Sequence, residues 1–476
     1  MMKYPIGIAA LVLSFSASLC HAYSLQDQVG LKEFLGSDPV TDFGLTISTG
    51  KQSSTLSAAP WAGYYWPEGF GSVVSPYRND NFPHALITLL GAEAGFRNTI
   101  HWMKNHWGDT LSPAIGSMSD DELNKLSPSL KYDLLFSDSD FTLSHTIMSR
   151  LIQKADQTHI KSWEGICNGW SLAALSLDRP LHEIQVKSAS GRMITFYPHD
   201  IMALSALLYA RSPVNDWSYY TRDSQYQRTP LANGADINAP GVGFEPVWLR
   251  FVGRRCDGGG ATGCNDLNPG VFHTAVVNSI GFNNSGFVMD KHKGPAIGNV
   301  AVFGYSMKLY NANTNAVDDF DKVITHNNLS DEQKAEGGVS KVGVVMTLTA
   351  RKELSPWDVN ADDETHYWDL EKTNEYTYNY VLILDANNNV IDGEWRMRLP
   401  IFGAIESPFP RYPDFLWKLP TQMHAFSGAE GSISSADFSA VNGQNDAFKA
   451  AADASSKLEQ PLGSVIYPML DASRTQ

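Results

Sequence analysis

The chain has 476 residues, 43% of them hydrophobic, which is enough to bury a large core and too much for a disordered or fibrous polymer. Its formal net charge of −15 argues against nucleic acid and anionic membrane surfaces as partners.

Residues 1–22 read as a targeting signal. Lys3 is the lone charge, an apolar stretch runs from Ile6 to Phe15, and Cys20-His21-Ala22 puts small residues at both key positions of a cleavage site. The mature chain is then expected to start at Tyr23 and to be exported, extracellular or periplasmic, with Cys20 lost. No membrane span follows.

Residues 23–160 read as a mostly helical region, a pro-segment or a structural lobe. It carries the aromatic loop Trp61-Ala62-Gly63-Tyr64-Tyr65-Trp66-Pro67, a capping box at Ser119 and Glu122, and Leu143, Ile147 and Leu151 at helical spacing. Residues 161–310 form the expected catalytic core. There Cys167 opens a helix-like run that ends at Asp178-Arg179-Pro180, and Pro198-His199-Asp200 starts another, Ile201 to Tyr209. The pattern then changes: Val271 to Ile280 and Phe287 to Asp290 read as two strands joined by an Asn- and Gly-rich turn.

Residues 311–425 continue in strands, at Val342 to Thr349, Tyr376 to Leu384 and Val390 to Met397, with Asp385 to Asn389 as a turn. Residues 426–476 are rich in Ser, Ala and Gly and read as a tail with little to pack. Helices first and strands later indicate an α+β fold, a helical lobe with an antiparallel sheet and further β-rich C-terminal elements.

Cysteine usage points to chemistry. Cys256 and Cys264 bracket the flexible loop Asp257 to Gly263 and form a candidate disulfide in an oxidising compartment. That leaves Cys167 as an odd thiol, either buried and inert or reactive, and its place at a helix start favours the second. The helix dipole there lowers a thiol's pKa and the free N–H groups hold an oxyanion.

A cysteine nucleophile needs a base and an orienting group, and His273 and Asp290 fit if both stand on one face of a hairpin. A regular turn at Asn283-Asn284 leaves them too far apart, so an irregular hairpin is expected. The backbone N–H of Cys167, with Trp163 or Asn168, supplies the candidate oxyanion donors. Asp358, Asn360, Asp362 and Asp369 have calcium-loop spacing, but Asp363 stands where that loop needs glycine and the closing residue is Asp rather than Glu. A solvated acidic loop is the favoured reading. Calcium is possible, and no cofactor is required.

These landmarks resemble the transglutaminase elicitor family, secreted enzymes of oomycetes and marine bacteria. The likeness rests on Trp61 to Pro67, Pro128-Ser129-Leu130-Lys131-Tyr132-Asp133, the Cys167 segment, Asp266-Leu267-Asn268-Pro269-Gly270-Val271-Phe272-His273, Asp290, Gly393-Glu394-Trp395 and Pro413 to Trp417. It implies a papain-like core and a protein-glutamine gamma-glutamyltransferase with a Cys167–His273–Asp290 triad. The partners implied are proteins bearing Gln and Lys, joined through a thioester on Cys167, with Trp170 and Phe272 as apolar walls of the substrate site. Where the family's defence-triggering segment starts Trp-Asn-Gln-Pro, this chain reads Gly298-Asn299-Val300-Ala301. The alternatives are a cysteine peptidase or glutamine deamidase, and, from another class, a secreted binding or adhesion module with a merely buried Cys167.

Overall fold

A computed structural model of the protein describes residues 25–75, 92–111, 117–157, 160–210, 250–253, 267–291, 298–353, 372–396, 412–413, 415–419 and 446–475. Their architecture is α+β: helices pack on both faces of an antiparallel sheet of eight strands.

The strands are Ser53–Thr55 (β1), Ile184–Lys187 (β2), Met193–Phe196 (β3), Arg250–Gly253 (β4), Phe287–Asp290 (β5), Asn299–Tyr310 (β6), Ser340–Arg351 (β7), Thr373–Leu384 (β8), Val390–Trp395 (β9) and Phe415–Lys418 (β10). The large sheet runs β4-β10-β5-β6-β7-β8-β9, with β1 also paired to β6, while β2 and β3 form a separate hairpin. Strands β6, β7 and β8 are its long centre, and a register shift between Val302 and Gly304 bends β6 against β7.

Side chains alternate across this sheet into two cores. On β5, Val288 enters the first core while Phe287 and Met289 enter the second. On β10, Phe415 and Trp417 face the first and Leu416 the second.

The first core is largely helical. Helix Thr142–Gln157 turns Leu143, Ile147 and Leu151 inward, and its start is held by Asp133, whose carboxylate accepts from the N–H groups of Leu143 and Ser144, both at 3.0 Å. Helix Pro198–Ala210 is buried on every side and packs across helix Cys167–Ser176. The crossing point is Gly169, where a β-carbon would lie 2.0 Å from the Ala206 carbonyl oxygen and 2.6 Å from the Ala210 backbone nitrogen. Only glycine lets the two backbones approach this closely.

The C-terminal segment corrects the sequence reading. Residues 446–475 form two helices, Asp446–Ser456 and Gly463–Thr475. The second helix and the residue before it place Leu462, Val465, Ile466 and Met469 in the first core with no exposure, and the Leu462 N–H donates to the Tyr132 hydroxyl at 2.8 Å.

The expected hairpin around His273 is also corrected. Residues Pro269–Val276 are an α-helix that widens into a π-helical turn, Val277–Phe282, before β5 begins. Asn268 caps the helix, its Oδ1 accepting from the Gly270 N–H at 2.8 Å, and Pro269 occupies the first helical position. This helix belongs to the second core, with Val271, Phe272, Ala275 and Val276 against β8 and β9.

The expected strands at Val342, Tyr376 and Val390 are present, and Asp385 closes its turn by accepting from the Asn387 and Asn389 N–H groups, each at 2.8 Å. Among the described residues no helix is long and apolar enough to cross a membrane.

Candidate active site

The turn that leads into Cys167 is fixed by polar contacts. The Ile166 N–H donates to the Tyr65 carbonyl at 2.7 Å. Glu164 accepts from the Lys161 N–H at 2.9 Å and pairs with Lys154 at 3.0 Å. Lys154 in turn meets Glu68 at 2.5 Å, and Glu68 is shared with Arg150 at 2.6 Å. This ion cluster ties the turn to helix Thr142–Gln157. No side chain caps the Cys167 helix at Ile166, so its first N–H groups keep their positive end toward the sulfur.

Across from Cys167 stand the ends of β5 and β6. Asp290 and Asn299 are cross-strand partners, and alternation from Val288 puts Asp290 on the Cys167 face. Asn299 donates through Nδ2 to the Cys167 Sγ at 3.7 Å. Its Oδ1 accepts from the Trp417 indole at 3.2 Å. An indole N–H can only donate, so this contact fixes which end of the amide meets sulfur. Asp290, fully buried, accepts through Oδ1 from the Gly298 N–H at 2.9 Å.

The electrostatics oppose the expectation of a resting thiolate. Burial first, then the negative charge of Glu353, push the Cys167 thiol up to about 12, with Asp290 adding to the rise and Asn299 opposing it. At neutral pH the sulfur rests as a thiol, because loss of hydration and two carboxylates outweigh the helix end. Glu353 itself is raised to about 7 by burial, against the pull of Lys291.

His273 lies elsewhere. It is buried in the second core, its Nδ1 at 2.9 Å from the Tyr380 hydroxyl and its ring 5.2 Å from that of Phe43. Tyr380 projects into the second core from β8, whereas Ile166 and Trp170, on either side of Cys167, pack into the first. The sheet therefore stands between imidazole and sulfur. Desolvation holds His273 down at about 3, so it is neutral.

Residues 257–434 match the transglutaminase elicitor family model. This stretch is similar to the transglutaminase elicitors. It contains Asp290, Asn299 and Glu353, and Cys167 precedes it. The chain is also similar to the crystal structure of the GP42 transglutaminase from Phytophthora sojae, at 19% identity and a TM-score of 0.52, covering 88% of this chain and 98% of that one. That likeness extends the fold of a transglutaminase over the Cys167 half as well. No curated protein matches this chain.

Within this transglutaminase-like fold the other predicted site residues separate. Asn168 is buried beside Cys167, and Trp163 is 37% exposed on the turn before it. Trp170 is not a substrate wall: it is fully buried in the first core, its indole pressed against the backbone of Gly63. Phe272 is not one either, since it packs with Tyr378, Tyr380 and Trp395 on the far side of the sheet. Cys256, Cys264, Asp358, Asn360, Asp362, Asp369 and the signal segment lie outside the described residues. Among the described residues no group of three or more His, Cys, Asp or Glu side chains is placed to hold a metal ion.

Sequence reasoning missed Asn299 and Glu353 as neighbours of the sulfur. Asn299 carries a faint signal, since it opens a strand that must pair with β5. Glu353 carries none.

Proposed function

We propose that the protein is a protein-glutamine gamma-glutamyltransferase in which Cys167 is the nucleophile, and that it is exported after loss of residues 1–22. The observation that carries the reading is the amide of Asn299, oriented by Trp417, on the sulfur of a cysteine at an uncapped helix start. It gives sulfur a fixed direction and leaves backbone N–H groups free for an oxyanion. A cysteine on a buried helix facing a sheet is also the arrangement expected of a papain-like core. The transglutaminase named in the structural match supports the choice of reaction.

In this reading the Cys167 thiol attacks the side-chain carboxamide of a glutamine. A C–S bond forms and the C–N bond breaks, while the thiol proton passes by way of the Asp290 carboxylate to the departing ammonia. Coupling proton loss to attack suits a thiol held at about 12. A lysine amine then takes the acyl group and restores the thiol, giving an isopeptide crosslink, and water in place of the amine gives glutamate. His273 is left out of proton transfer, and its bond to Tyr380 gives it a packing role.

The test is incorporation of a fluorescent alkylamine into a glutamine-bearing protein by the wild type and by Cys167→Ala, Asp290→Asn and His273→Gln, each checked for folding. Transfer is expected to vanish in Cys167→Ala, to fall in Asp290→Asn and to persist in His273→Gln. Undiminished transfer by Cys167→Ala refutes the reading.

A further inference from the structure

Three elements converge beside the sulfur. Strand β7 ends at Arg351, and the Lys352 N–H donates to the Lys372 carbonyl at 2.9 Å, so the extended backbone runs on. Glu353 therefore returns to the face that Arg351 occupies. On that face Arg351 donates through Nε to the Pro60 carbonyl at 2.5 Å and lies 5.1 Å from the Phe303 ring. The strand end is thus tied to the aromatic segment, whose Tyr65 carbonyl receives the Ile166 N–H immediately before Cys167. Glu353 sits where these meet: its charge acts on Cys167, on Tyr64 and on Tyr65.

Thioester formation, as described above, uses Asp290 and Asn299 and has no task for Glu353. A carboxylate beside a thiol even hinders it, because negative charge disfavours the thiolate. Such a group needs another reason to be there. The second half-reaction supplies one. A lysine arrives as an ammonium ion, and an ammonium cannot attack a carbonyl until it loses a proton.

We propose that Glu353 forms the acceptor subsite, drawing the lysine ammonium toward Cys167 and taking its proton. Tyr64 and Tyr65, edge to face at 5.4 Å, flank the four-carbon stem. The neutral amine then attacks the thioester carbonyl; a C–N bond forms, the C–S bond breaks, and the second amine proton passes to the departing sulfur. Glu353 later releases its proton to water. A carboxyl held at about 7 is matched to accept a proton near neutral pH. Among the described residues, the charged and titratable groups around it include Lys291, which attracts it, Arg351 on the same face of the strand, and Cys167, Tyr64 and Tyr65. The inference rests on the acyl-transfer reading of Cys167.

The experiment compares two acceptors on the full-length protein with a glutamine peptide as donor. A primary alkylamine is cationic and needs deprotonation, whereas hydroxylamine is uncharged near neutral pH and needs neither attraction nor a base. In Glu353→Gln the ratio of alkylamine transfer to hydroxylamine transfer should fall roughly tenfold or more, with a rise in KM for the alkylamine. Glu353→Asp should recover part of the ratio. Loss of both transfers in equal proportion, or of neither, overturns the proposal while leaving Cys167 as nucleophile intact. A wild type that releases no more ammonia from the donor than Cys167→Ala overturns the acyl-transfer reading and the acceptor subsite together.

Discussion

Replacing Gly169 by alanine sets two effects of opposite sign against each other. Helix propensity alone makes the change favourable, by about 1 kcal/mol in a helix interior. The crossing with helix Pro198–Ala210 makes it unfavourable, because the new β-carbon would stand 2.0 Å from the Ala206 carbonyl oxygen and 2.6 Å from the Ala210 backbone nitrogen. Both are main-chain atoms inside a fully buried helix, so no side chain can swing aside. The helices must separate by roughly 1 Å to restore ordinary contact, and overpacking of this kind costs about 1–3 kcal/mol or more. With the backbone unable to yield, the upper end applies, and the net expectation is a loss of about 2 kcal/mol. Guanidinium titration followed by tryptophan fluorescence reads this directly, and amine transfer should fall as well, since Cys167 lies two residues away on the displaced helix. A Gly169→Ala protein as stable as the wild type or more so would refute the packing argument.

The remaining predictions are these. Removing a negative neighbour lowers the thiol's pKa, so Cys167 in Glu353→Gln should react faster with iodoacetamide at pH 8, and Asn299→Asp should slow it; rates in the reverse order would contradict the electrostatic account. His273 and His199 bind a proton near pH 6.5 when unfolded but only near about 3 when folded. The folded state binds fewer protons between those values, so the stability they contribute is complete above pH 6.5 and is lost as pH falls toward 3. His273→Gln should therefore flatten the decline in urea midpoint between pH 7 and pH 5, and an unchanged slope would show that His273 is hydrated. Deleting residues 446–476 strips Leu462, Val465, Ile466 and Met469 from the first core and should yield an insoluble or unfolded chain; a soluble protein with wild-type thermal stability would mean that these helices are dispensable.

Legibility followed how local each signal was. The capping box at Ser119, the stripe of Leu143, Ile147 and Leu151, and the turn at Asp385 are written in neighbouring residues, and all are present. The His273 segment misled because Val271, Thr274, Val276, Val277 and Ile280 form a β-branched run, which favours strand. Burial on all sides removes the polar stripe that marks a surface helix, and the cue that remained was Asn268-Pro269, a cap and a first-turn proline. Strand β6 was obscured by its bulge at Val302 and Gly304, which breaks strict alternation. The last helix was hidden by composition: Val465, Ile466, Met469 and Leu470 keep helical spacing within a segment otherwise rich in Ser and Ala. The place of Cys167 at a helix start was legible from its surroundings. Its partners were not, since Asn299 and Glu353 reach it only through strand pairing across 132 residues and more.

The two C-terminal helices also bear on how the chain comes to be folded. Thr142 and Asp453, 311 positions apart, are joined by a hydrogen bond, and the interior that supports the Cys167 helix lacks one wall until residues 463–475 arrive. A nascent chain made only as far as residue 445 therefore exposes the greasy surface that these helices cover, and the thiol's surroundings mature only once residues 446–475 have been added.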